Sequence, residues 1–218
     1  MEKITLGKTN EQVSVISLGT WSYGKENTSG GSNVGWANQS DQDSRLALLK
    51  AYSCEINHWD TADVYGEGHS EKVIGSMWEE IPRNNIFLAS KVGWDMGPHK
   101  HWYHPDYMKI KMERSLKYLK TDCVDLMYLH HCNFGNNNEH LDDAVEIIHR
   151  FKEEGKTRFI GLSDWSSNRI LEFIHKVNPD VVQPLYNVYD IEYVTSVSYT
   201  HRRCRRYSLC RSRWSPYH

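Results

Sequence analysis

A chain of 218 residues with 39% hydrophobic content, 26 Lys and Arg and 28 Asp and Glu has the material for one large domain or two small ones around a packed core. The opening MEKITLGKTNEQ has no apolar leader core and no apolar run reaches membrane-spanning length, so the expectation is a soluble, cytoplasmic protein with no membrane partner. Six arginines and no acid fall after residue 194, so the first 194 residues carry −8 against −2 for the whole chain, and a body that acidic argues against nucleic acid as a partner.

The opening ITLGKTNEQVS reads as a small hairpin able to plug one end of a barrel, and VSVISLGTW (13–21) as a first strand. A long polar loop follows, GKENTSGGSNVGWANQ (24–39), of the kind that carries function when it sits on the C-terminal side of a strand. Ser40 and Asp43 in SDQD open the first helix in a pattern like a capping box. Strands are then expected at NHWDTA (57–62), IFLASKVG (86–93), VDLMYLHH (124–131), RFIGLSD (158–164) and VVQPLYN (181–187). Between them, helical spacing groups Val73, Ile74, Met77 and Trp78; then Met108, Met112, Leu116 and Leu119 behind Pro105. The next two helices have Leu141, Val145, Ile148 and Phe151, closed by Gly155, and Ile170, Ile174 and Val177 after Ser166. Six strands alternating with five helices indicate an α/β fold with a parallel sheet. The absence of a strong reversal signal favours a (β/α) barrel, a TIM barrel, over an open six-stranded sheet. The five cysteines, Cys54, Cys123, Cys132, Cys204 and Cys210, lack metal-type spacing and an even count, and are read as reduced thiols.

On a barrel the strand ends and the loops after them form the active face. The polar residues fall there: Asp60 and Tyr65 after the second strand, Lys91 at the end of the third, His130 at the fourth, Ser163 and Asp164 at the fifth, and Gln183 on the sixth. A lysine inside FLASKVG is costly to bury without a partner, and Asp60 on the neighbouring strand supplies one. Such a set suits proton transfer at a carbonyl oxygen. An ammonium near a tyrosine favours its phenolate, so Tyr65 would be a tuned general acid or base, with His130 orienting the carbonyl. Asp60 with Lys91 as a plain structural ion pair, and Tyr65 as a packing residue, are the alternatives for each taken singly.

DTADVYGEGHSEKVIG (60–75) closely resembles the aldo-keto reductase signature, and ASKVG, DLMYLHH, GLSDWS and QPLYN follow in that family's order, a likeness covering roughly residues 3–190. The resemblance implies a (β/α)8 barrel that uses NADPH to reduce an aldehyde or ketone. It makes Tyr65 the proton donor, Asp60 and Lys91 its tuning pair and His130 the carbonyl-orienting residue. Ser163 and Gln183 would hold the nicotinamide carboxamide; Asp164 stands where the family commonly has asparagine, which removes an amide donor and adds charge. The first loop, with Trp21, Tyr23 and Trp36, resembles the substrate-pocket loop of bacterial members and of potassium-channel β-subunits, and Trp94 adds to an aromatic pocket.

Three imidazoles in HKHWYH (99–104) raise the alternative of a zinc-dependent barrel, although zinc needs tetrahedral convergence and the resemblance implies no metal. A barrel kept as a binding or regulatory scaffold is a further alternative. After Asp190 the pattern fails. The remaining segment, 191–218, is too short for two more βα units, so the barrel is expected to be incomplete after about six strands, with residues 1–190 as its N-terminal part. The tail reads as a foreign or disordered basic extension, with a phosphate-binding arm as the rival reading. An unclosed sheet exposes two edges and is expected to aggregate.

Overall fold

In the computed structural model, residues 1–29, 32, 33, 35–187 and 189 are described. The expectations for the tail 191–218 lie outside them. The chain begins with a hairpin, β1 (Lys3–Thr5) and β2 (Gln12–Ser14), paired antiparallel with Ile4 opposite Val13. β3 (Ser17–Gly19) follows, then a short 3-10 turn (Trp21–Gly24) and a two-residue ribbon, β4 (Thr28–Ser29) and β5 (Ser32–Asn33). The rest alternates: α1 (Asp41–Ser53), β6 (His58–Asp60), α2 (His69–Gly75), β7 (Phe87–Val92), α3 (Pro105–Leu119), β8 (Val124–Leu129), α4 (Leu141–Glu153), β9 (Thr157–Asp164), α5 (Ser167–Val177) and β10 (Val181–Pro184).

Six strands pair in the order β10-β9-β8-β7-β6-β3, every pair parallel. Neighbours in the sheet are neighbours in the chain, joined each time by a helix, which is the winding of a (β/α) barrel carried through six strands of a curled half-barrel. The predicted strand over 13–21 is two strands. At Ser14 the chain is held by Asn57, whose Oδ1 accepts the Ser14 amide at 2.7 Å, and Val15 and Ile16 turn out to solvent before β3 starts. A continuous strand would have kept residue 13 in the sheet of residue 17; the hairpin takes it instead.

Helix ends follow the chemistry of their caps. Ser40 Oγ accepts the Asp43 amide at 3.0 Å and donates to Asp43 Oδ2 at 2.6 Å, and Ser166 Oγ accepts the Arg169 amide. Pro105 opens α3, and Gly155 takes the left-handed turn (φ 72°) after α4. Two details differ from the periodicity. α2 stops at Gly75, with Met77 and Trp78 in the turn beyond it. α4 buries Ala144, Ile147, Ile148 and Phe151, leaving Leu141 and Val145 half-exposed at the edge of the face.

The alternation of side chains along each strand divides the core in two. Outward-facing Trp59, Leu88, Met127, Leu129, Ile160 and Leu162 pack under the helices. Facing inward are Phe87, Ala89, Leu126, Tyr128 and Val181, sealed from below by Leu6 and Val13 of the hairpin. The hairpin docks tightly: Lys8 N donates to Asp180 O at 2.9 Å, and a Cβ on Gly7 (φ 52°) would stand 2.3 Å from that same oxygen. Inside, Gly161 leaves the space that the Tyr128 ring fills. Among the described residues no helix is long and apolar enough to cross a membrane.

Candidate active site

The same alternation that places Phe87, Ala89, Leu126 and Val181 inside places Asp60, Lys91, Ser163 and Gln183 at the C-terminal end of the inward face. Register does the rest. Asp60 lies opposite Ala89, one pleat below Lys91, and Gln183 pairs with Ser163.

Lys91 and Asp60 are both buried, and Lys91 Nζ is ion-paired with Asp60 Oδ1. The ammonium also donates to Thr61 O at 2.7 Å and to the Tyr65 hydroxyl at 3.4 Å. The second Asp60 oxygen accepts from Gln183 Nε2 at 2.7 Å, a link across 123 residues of chain. Burial of both ions is supported by this full set of partners, without which desolvation would outweigh the attraction. Ser163 Oγ donates to Gln183 O at 3.1 Å.

Tyr65 is reached by a tight loop. Its amide donates to Ala62 O, and Gly66 (φ 61°) turns beneath Gly24, whose carbonyl oxygen would be 2.0 Å from a Cβ at position 66. Glycine is required there on both counts. The Tyr65 ring meets His130 edge-on at 6.0 Å and Trp21 at 6.4 Å, and Trp21 in turn meets Trp36 at 5.8 Å. His130 is held through its amide, which donates to Val92 O at 2.9 Å.

A cavity of about 240 Å³ opens beside these groups, lined by Lys91, His130, Ser163 and Gln183 together with Trp94 and Trp165. Trp94 packs against His130 (5.7 Å), His131 (5.0 Å) and Trp165 (5.5 Å). His131 also lines the cavity, and burial holds its imidazole down to about 4, so it is neutral near pH 7. Asp164 lines the cavity too, but its carboxylate serves the backbone: Oδ2 accepts the Cys132 amide at 2.6 Å and Oδ1 the Ser166 amide at 2.7 Å.

The three imidazoles of 99–104 do not converge. His99 stacks on His104 at 4.1 Å, while His101 stacks on His140 at 4.3 Å. Among the described residues no three His, Cys, Asp or Glu side chains come together as metal ligands would.

Sequence reasoning did not find the Thr61 carbonyl on Lys91, the Gln183 contact with Asp60, or the shelf that Trp165 and His131 form with Trp94. It also left Asp63 unexplained. That residue is buried and paired with Lys111 Nζ at 3.5 Å and Arg114 Nη2 at 3.9 Å. Lys111 and Arg114 recur on one face of α3, which was the available signal.

Residues 15–201 match the model of the Aldo/keto reductase family. The chain is 31% identical over 195 residues to the uncharacterized oxidoreductase YqkF of Bacillus subtilis, covering 87% of this chain and 58% of that protein. It is 28% identical to the NADH-specific methylglyoxal reductase of Escherichia coli (87% and 60%) and 27% to a probable voltage-gated potassium channel subunit beta of Oryza sativa (90% and 58%). Among solved structures it superposes on aldo-keto reductase AKR11C1 of Bacillus halodurans in its holo form with TM-score 0.69 at 28% identity (85% and 58%). On the thermostable aldo-keto reductase Tm1743 the TM-score is 0.74 at 27% identity (94% and 69%). The chain thus spans about three fifths of the curated relatives it matches, in step with a barrel wound through six strands. Parallel winding, motif order and these likenesses agree: the chain belongs to the aldo/keto reductase family.

Proposed function

We propose that the site reduces an aldehyde or ketone with a nicotinamide cofactor, NADPH, and that Tyr65 is the proton donor. The observation that carries this reading is the buried chain Gln183–Asp60–Lys91–Tyr65 ending beside a cavity lined by His130. An ammonium 3.4 Å from a phenol oxygen stabilises the negative charge that develops there as the proton leaves, and Asp60 keeps that ammonium in place. The His130 ring, edge-on to Tyr65, is placed to hold a carbonyl oxygen near the phenol.

The cavity wall fits a nicotinamide carboxamide. Ser163 donates its hydroxyl hydrogen to Gln183 O, and Gln183 donates its amide hydrogen to Asp60, which leaves Ser163 Oγ and Gln183 Oε1 as acceptors for an amide NH2. Asp164 adds only acceptor oxygens, already engaged by two backbone amides. A bound nicotinamide would supply the hydride; the residues named here bind, orient and protonate. Both cofactor types occur among similar proteins, one named NADH-specific and one from Schizosaccharomyces pombe named with NADP(+). A small aldehyde is the substrate class suggested by the methylglyoxal reductase.

The test is titration of the chain with NADPH and with NADH, followed by carbonyl reduction in wild type and Tyr65→Phe. Loss of a general acid lowers kcat by about 10²–10⁴-fold. Equal turnover in Tyr65→Phe refutes the assignment. Cofactor binding without turnover in the wild type favours instead a binding role, as the similarity to channel subunits allows.

A further inference from the structure

Behind the ends of β6 and β7, against α3, lies a second charged cluster that takes no part in the reacting set. Lys111 is buried at 3% exposure, and its ammonium is shared between two carboxylates from two different loops: Asp95 Oδ2 at 2.5 Å and Asp63 Oδ2 at 3.5 Å. One turn further along α3, Arg114 Nη2 donates to the Asp63 carbonyl at 2.6 Å. One turn earlier, the Tyr107 hydroxyl donates to Asp95 Oδ2 at 2.6 Å. Residues 107, 111 and 114 therefore present one face of the helix to both loops.

The two loops carry different parts of the site. Asp63 stands two residues before Tyr65, and its peptide is fixed on both sides, its amide donating to Lys91 O at 3.1 Å and its carbonyl accepting from Arg114. Asp95 follows Trp94, the indole that packs against His130, and its Oδ1 accepts the Gly97 amide at 2.9 Å. We propose that Lys111 and Arg114 are positioning residues, a strap from α3 that holds the Tyr65 loop and the Trp94 loop in fixed relation across the cavity. The proposal rests on the carbonyl-reducing reading of the site for its catalytic consequence, not for its mechanical one.

The energetics favour a positioning role over simple cohesion. Burying an ammonium and a carboxylate carries a desolvation cost that their attraction offsets without large surplus, so an apolar contact would join helix to loop as firmly. What the shared ammonium adds is a common anchor: Asp95 is hydrogen-bonded to Nζ at 2.5 Å and Asp63 is drawn to the same charge at 3.5 Å, so the two loops are referred to one point on α3. A displacement of the acid by 1 Å costs on the order of 10²-fold in rate, which is the scale on which such restraint matters.

The experiment is hydrogen exchange by mass spectrometry on the full chain, together with steady-state kinetics, for wild type, Lys111→Met, Arg114→Ala and Asp95→Asn. The expected result is segmental: Lys111→Met accelerates exchange about tenfold in both 61–68 and 93–98, Arg114→Ala in 61–68 alone and Asp95→Asn in 93–98 alone, with β7 and β8 unchanged in each. In Lys111→Met, kcat falls about tenfold or more while KM for the carbonyl stays within about threefold. Acceleration spread evenly over strands and loops, or none in either loop, overturns the strap, as does unchanged kcat. The exchange pattern needs no turnover, so a wild type without reductase activity refutes the reading of the site and leaves the strap to be decided by exchange. Should Lys111→Met not fold, Asp95→Asn, whose side chain is 45% exposed, decides the same point through 93–98.

Discussion

Asp60→Asn and Lys91→Met, made singly and together, test whether the buried pair behaves as a unit. Asp60→Asn leaves the Lys91 ammonium, 1% exposed, facing neutral acceptors, the Thr61 carbonyl, the Tyr65 hydroxyl and the new amide oxygen, in place of the opposing charge. Lys91→Met leaves the Asp60 carboxylate, fully enclosed, with the Gln183 amide at 2.7 Å as a neutral donor in place of the ammonium. Breaking one side of a buried ion pair costs about 3–5 kcal/mol. For a chain of this size each kcal/mol moves Tm by about 2–4 °C, so each single variant should melt roughly 6–20 °C lower. The double variant removes both charges and keeps the Gln183 donor facing an amide oxygen, so its loss should fall short of the sum of the singles by about 2–3 kcal/mol. Equilibrium urea unfolding at pH 7 of all four proteins measures the coupling. Additive losses, or singles that lose less than about 1 kcal/mol, would refute the claim that the pair is held in a low-dielectric interior.

Glu71 lies buried behind the site with Oε1 accepting from Ser90 Oγ at 2.7 Å, and burial, with the charge of Asp63, pushes its carboxyl up to about 7 from 4.5. The folded state then binds this proton more tightly than the unfolded state. The stabilisation is complete below pH 4.5 and is lost as pH rises through 7, by up to about 3 kcal/mol. Between pH 5 and 8 the urea midpoint of wild type should fall relative to that of Glu71→Gln; Asp63, pushed the same way by its own burial, and the imidazoles of His101 and His131, held down by burial and adding the opposite slope below about pH 6.5, act in both proteins. An identical slope in the variant would exclude Glu71 as its source. Gly161→Ala would bring a methyl group to 2.1 Å from the Tyr128 ring, which is fully buried, and should cost about 1–3 kcal/mol in urea unfolding; a neutral outcome would mean that the ring has room to move. Cys132 is enclosed and its thiol is pushed far up by burial, whereas Cys54 is exposed, so peptide mapping after brief labelling at neutral pH should find Cys54 modified and Cys132 untouched until urea is added.

The winding of this fold was legible because its signals are local. Strands over 86–93, 124–131 and 158–164, the Ser40 and Ser166 caps, Pro105 and Gly155 depend on residues a few positions apart, where period and hydrogen-bonding reach are set by the backbone itself. The polar strand ends were legible for the same reason: in a parallel winding Asp60, Lys91, Ser163 and Gln183 must arrive at one end. Where neighbours in space compete, local pattern misled. Residues 13–21 read as one strand, but the hairpin and the sheet each claim a part of them, and Leu141 and Val145 lost the buried face of α4 to Ala144 and Ile147 because the sheet surface set the helix rotation.

Contacts that depend on register and on loop path were decided only by the tertiary structure. Period 2 puts Gln183 inside, but only the pairing of Gln183 with Ser163 and the curl of the sheet carry its amide across to Asp60. Asp164, expected from its place in the motif to touch a cofactor, spends both carboxylate oxygens on the backbone of Cys132 and Ser166 once the two loops are folded together. In sequence Lys111 is one of several charged residues of α3; that it is buried and shared by Asp63 and Asp95 from two loops is decided by the tertiary structure. A residue's type and its facing are written into the chain by short-range sterics, whereas the partner that makes a buried charge tolerable comes from distant segments, and only the closed packing of the sheet against its helices brings them together.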